Sequence, residues 1–96
     1  MDILFHVSST AGARMLIPLA QACRRAACDF GVFFTHEGVL ELDDAALQAA
    51  LQLASRAVAC EDSWHRMRGH SPCPVEAGSQ TINSALMGEA RRVVSL

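Results

Sequence analysis

Three short apolar runs constrain this chain more than anything else in it. Ile3-Leu4-Phe5-His6-Val7, Phe30-Gly31-Val32-Phe33-Phe34 and Arg56-Ala57-Val58-Ala59 are strand-length and apolar at nearly every position, without the alternation of a half-solvated sheet. Strands of that kind are buried on both faces. Between them lie segments of helical period. Met15, Leu19, Ala22, Cys23 and Ala26 share one helical face, and Leu47, Ala50, Leu51 and Ala54 recur at i, i+3, i+4 and i+7 behind Asp43 and Asp44, which suit the cap and first turn of a helix. Pro18 is awkward inside the first helix and places its start nearer Ile17 than Ala13.

Turn-like residues close the first two strands, as Ser8-Ser9-Thr10-Ala11-Gly12 and Thr35-His36-Glu37-Gly38. From Trp64 to Ser79, Gly69, Pro72, Pro74 and Gly78 interrupt any long element, which reads as a loop with a helical turn at its start and a short strand near Val75. Ser79 then caps a helix with Ile82, Ala85, Leu86 and Ala90 inward, and Arg92 to Leu96 form a last strand. Alternating strands and helices imply one α/β domain over residues 1–96, a mostly parallel, flavodoxin-like sheet of four to five strands with helices on both faces.

Composition narrows the function classes. At 96 residues the chain has a hydrophobic fraction of 51% and a mean hydropathy of +0.21, a surplus that suggests subunit burial. No apolar run approaches the ~20 residues of a membrane-spanning helix. The start has no basic segment and long apolar region of a secretory leader, so a cytoplasmic location and four free thiols are the expectation. Eight arginines, no lysine and a net charge of -2 supply no basic stripe for nucleic acid.

In a parallel sheet, chemistry gathers at the carboxyl ends of the strands. Three segments fall on that edge: Ser8 to Thr10, Thr35 to Gly38, and Cys60-Glu61-Asp62-Ser63. A cysteine at a helix start has its thiolate stabilised by unpaired amides, whereas the flanking Glu61 and Asp62 oppose it unless they point away or are neutralised by His65, Arg66 or Arg68. Cys60 is therefore the candidate nucleophile, weighed against a small buried hydrophobe. His36 and His65 are candidates for assisting it and Cys73 for a second thiol. Cys23 and Cys28 read as packing residues, and His6 as a near-core residue of the first strand. His36, Cys60, His65 and Cys73 match no zinc-ligand spacing, and the turn after the first strand lacks both glycine-rich phosphate motifs, so no metal or cofactor is expected.

Several stretches together resemble the DsrE/DsrF-like sulfur-relay family. They are Ile3 to Ser9, Arg14-Met15-Leu16-Ile17-Pro18-Leu19-Ala20, Val32-Phe33-Phe34-Thr35-His36-Glu37-Gly38-Val39, Ala57-Val58-Ala59-Cys60, Gly78-Ser79-Gln80 and Ala90 to Leu96. The resemblance implies a small α/β subunit of trimers or hexamers, in which a cysteine after the third strand, here Cys60, carries sulfur as a persulfide between donor and acceptor proteins. Pro18 fits the same pattern. It also implies the alternative of a non-catalytic assembly subunit or small-ligand module, since some members lack the cysteine.

Overall fold

A computed structural model describes residues 1–96. Its strands are β1 (Ile3–Val7), β2 (Phe30–Phe34), β3 (Arg56–Cys60), β4 (Glu76–Gly78) and β5 (Arg92–Ser95). The helices are α1 (Thr10–Arg25), α2 (Ala45–Leu51), α3 (Glu61–Arg68) and α4 (Gln80–Glu89), and a 3₁₀ helix spans His36–Glu41. All strand pairs are parallel, in the order β4-β3-β2-β1-β5. The chain thus forms the doubly wound α/β sheet expected from its runs.

The period-2 alternation of the strands divides the interior in two. Phe5, Val7, Phe30, Val32, Phe34 and Ala59 face one side, where α1, the 3₁₀ helix, α2 and Trp64 of α3 cover them. Leu4, Phe33, Val58 and Cys60 face the other, beneath Leu86 of α4. Three crossovers step in one direction and place their helices on one face, and the return from β4 to β5 places α4 alone on the other. One helix does not cover that face completely, and Met87 of α4 and Val93 of β5 stay 43% and 40% exposed.

The first helix departs from expectation. It starts at Thr10, not near Ile17, and it buries Gly12, Ala13, Leu16, Ala20 and Cys23, while Met15 is 56% exposed. Ser9 caps it, accepting the Gly12 N–H at 2.9 Å. Pro18 sits inside the helix on its exposed side, next to solvent-facing Arg14, whose carbonyl the proline leaves without its intrahelical donor. Water can satisfy that carbonyl, and the apolar face that needs every turn from Ala13 to Cys23 outweighs the local cost.

Other elements follow their local chemistry. Asp44 caps α2, accepting the Leu47 N–H at 2.9 Å. The stretch expected as loop from Trp64 holds more order: α3 starts three residues earlier and runs eight residues, ended by Gly69 at φ 62°. Trp64 fixes it, with its ring buried and its Nε1–H donated to the Ser71 carbonyl at 2.6 Å. The three-residue edge strand β4 is tied to β3 by Arg56, whose guanidinium meets both Glu76 oxygens at 3.2 and 2.8 Å. In α4 Leu86 is buried and Ile82 and Ala90 half-buried as expected, but Ala85 is exposed and Asn83 is buried instead.

The α1 C-terminus holds a non-glycine residue where glycine is usual. The Cys28 N–H bonds the Cys23 carbonyl at 2.8 Å, the Ala27 N–H bonds that of Arg24 at 3.1 Å, and Ala27 lies at φ 54°. This is a Schellman termination with alanine in the left-handed position. Replacing Ala27→Gly relieves about 1–2 kcal/mol of backbone strain against about 0.5–1 kcal/mol of added unfolded-chain entropy. The variant should gain about 0.5–1 kcal/mol in urea unfolding.

Candidate functional site

At the carboxyl edge of the sheet, β3 runs into α3 with Cys60 as the residue that caps the helix, in extended backbone at φ -60° and ψ 118°. That position is forced by the pattern: Val58 and Cys60 share the α4 face of the strand, and the chain turns into α3 immediately afterwards. The sulfur therefore lies between the first turn of α3 and the start of α4. Gln80, the first residue of α4, donates its Nε2–H to Cys60 Sγ at 3.6 Å, and Asn83 one turn later donates its Nδ2–H to Gln80 Oε1 at 3.2 Å. The Asn83 Oδ1 is buried without a partner.

Ser63 ties the same site to β2. Its Oγ accepts the His36 backbone N–H at 2.9 Å and lies 3.3 Å from Thr35 Oγ1, and Thr35 and Ser63 are both buried. This bond holds His36 in a left-handed conformation, φ 49°, at the start of the 3₁₀ helix. Gly38, just beyond, has no room for a Cβ, which would collide with the Val7 carbonyl. The end of β2 is thereby packed against that of β1.

Two opposing effects set the Cys60 thiol. Burial pushes it up; the Ser63 hydroxyl and amide, the Gln80 carboxamide and the Asp62 amide favour the thiolate and outweigh burial, leaving the thiol below its usual range. Glu61 and Asp62 do not oppose this. Both side chains are exposed, and the contribution of Asp62 to the sulfur comes through its backbone amide. Their place in the first turn of α3 instead complements the helix dipole.

The remaining candidates lie further out. His36 reaches the site through its backbone, and its ring is exposed. His65 is exposed on α3, with its ring 6.2 Å from that of His70. Arg68 is engaged elsewhere, paired with Asp43 and lying 5.3 Å over the Trp64 ring. Cys73 is half-buried against the core on the opposite side of the sheet from Cys60. No group of three His, Cys, Asp or Glu side chains is arranged to hold a metal ion. The turn at Ser8 to Gly12 is filled by the chain itself: the Ser8 N–H bonds the Leu96 carbonyl at 2.9 Å, and a Cβ on Gly12 would collide with the Leu96 backbone. That crevice at the carboxyl end of β1, beside the strand reached from the other face through α4, is the usual ligand position of such sheets.

Gln80 and Asn83 are the residues that local sequence reasoning does not find. Ser63 is legible in principle, three residues after the capping position as in other helix starts. Gln80 carries no such signal, because only the crossover through β4 brings it to Cys60.

His6 adds a pH response beside the site. It is half-buried and stacked on Phe33 at 5.9 Å, and burial together with nearby His36 lowers its pKa from the ordinary value. With the folded value below the unfolded value of about 6.5, the unfolded chain binds more protons in the window between them. Stability should therefore be intact above about pH 6.5 and fall as pH drops through that window. His6→Gln should flatten this acid limb in urea titrations at pH 5 to 8.

The chain matches no protein-family model and no curated protein.

Proposed function

We propose that the protein is a sulfur carrier of the DsrE/DsrF-like kind, working in a reducing cytoplasm, in which Cys60 holds sulfane sulfur as a persulfide. The observation that carries this reading is the Cys60 thiol at the head of α3, favoured as thiolate by Ser63 and Gln80 despite its burial. In the reaction the Cys60 thiolate attacks the outer sulfur of a donor persulfide. The donor S–S bond breaks, its thiolate leaves and takes up the proton, and a new S–S bond forms on Cys60 without net oxidation. Transfer to an acceptor thiol repeats the exchange in reverse. The partners are donor and acceptor proteins, and the partly uncovered face around Met87 and Val93 suits assembly into a trimer or hexamer.

Incubating native protein with a persulfide donor should add one sulfur atom, located on Cys60 by mass spectrometry. The pH profile of iodoacetamide alkylation should give Cys60 an inflection below that of an ordinary thiol, about 8.5. Gln80→Ala should move that inflection upward. A profile with no difference between the two proteins would remove Gln80 from the site.

A second reading, a non-catalytic assembly subunit or small-ligand module, is favoured by one observation: Cys60 is only 5% exposed. It requires that Cys60 resist alkylation until the chain unfolds. The carrier reading requires that exposed Gln80 swing aside and admit the reagent in the folded state.

A further inference from the structure

The amino edge of the sheet carries a second pair of thiols. Cys23 is buried at the end of α1 and Cys28 is half-buried just before β2, both against the same apolar cluster. The Schellman termination brings them together. Cys23 and Cys28 occupy the third-from-last helical position and the second position past the cap, whose side chains meet in this motif. The 2.8 Å bond from the Cys28 N–H to the Cys23 carbonyl holds their Cα atoms within about 6.7 Å by ordinary bond lengths, inside the span a disulfide bridges.

We propose that Cys23 and Cys28 form a redox-active pair that closes to a disulfide by exchange with a low-molecular-weight disulfide of the glutathione class. The half-exposed Cys28 is entered first: its sulfur attacks one sulfur of oxidised glutathione, whose S–S bond breaks and releases one glutathione thiolate, which takes up the proton. Cys23 then attacks the Cys28 sulfur and displaces the second glutathione. Two protein thiols lose two electrons and two protons, and one glutathione disulfide becomes two glutathione thiols. In the reduced state burial and the neighbouring Cys28 thiol push the Cys23 thiol up, with Asp2 adding to the effect. This pair lies at the opposite edge of the sheet from Cys60, so its closure leaves the candidate sulfur site untouched.

Trypsin provides the test, because Arg24 and Arg25 lie between the two cysteines. Native protein is incubated with oxidised glutathione, quenched in acid, unfolded, alkylated and digested. The expected result is residues 15–24 joined to residues 26–56, two hydrogen atoms lighter than the separate peptides and separated again by dithiothreitol. In Cys28→Ser, Cys23 should remain fully alkylatable. Recovery of Cys23 as the alkylated thiol in the wild type, with Cys28 free or carrying glutathione, would overturn the proposal. So would a bond from Cys23 to Cys60 or Cys73 in Cys28→Ser, which would indicate random pairing through unfolding.

Discussion

Cys60→Ser should take up no sulfur from a persulfide donor, while the wild type gains one atom per chain. The expected loss is complete, because serine keeps the size and capping position but its alkoxide is inaccessible at neutral pH and forms no S–S bond. The fold should survive: the side chain is small, and Ser63 and Gln80 still have a polar partner. Urea midpoints for variant and wild type should thus lie close together, which separates lost chemistry from lost structure. Loading that persists undiminished in Cys60→Ser, or that maps to Cys23, Cys28 or Cys73, would end the Cys60 carrier reading.

Phe33→Ala should be the most damaging single change to stability, by about 3–5 kcal/mol. Phe33 is fully buried in the small cluster with Leu4, Val58, Cys60 and Leu86, which is the only core under α4, and His6 stacks on its ring. The other face has sixteen buried residues to share such a loss; this one has five. The cost should appear as a lower urea midpoint with the slope unchanged. The same variant should raise the alkylation inflection of Cys60, since α4 carries Gln80. A penalty below about 1 kcal/mol would mean that α4 is anchored elsewhere.

The layering was legible because parallel strands announce themselves as unbroken apolar runs, and Ile3–Val7, Phe30–Phe34 and Arg56–Cys60 appear where those runs lie. The errors have local causes. Pro18 has a strong intrinsic preference against a helix interior, and the burial of Ala13, Leu16, Ala20 and Cys23 overrides it. The α3 helix has a polar sequence with one large apolar residue, so its period is too weak to read; Trp64 and the capping geometry of Cys60 supply what the pattern lacks. Alanine-rich stretches are ambiguous about facing, which is how Ala85 was expected inward where Asn83 is.

By itself, then, the sequence determined the α/β class, the position of Cys60 at the end of a buried strand and the start of α2 at the Asp43-Asp44 pair, because strand burial and helix capping act over neighbouring residues. Tertiary structure decided what surrounds the sulfur. Gln80, held by Asn83, reaches it from twenty positions away, through the single crossover that puts α4 on the opposite face. The same folding turns Glu61 and Asp62 to solvent and leaves the Asp62 amide at the thiol. Whether Cys60 is disfavoured or favoured as a thiolate depends on that orientation, since charge acts on a thiol through distance in space and not through separation along the chain.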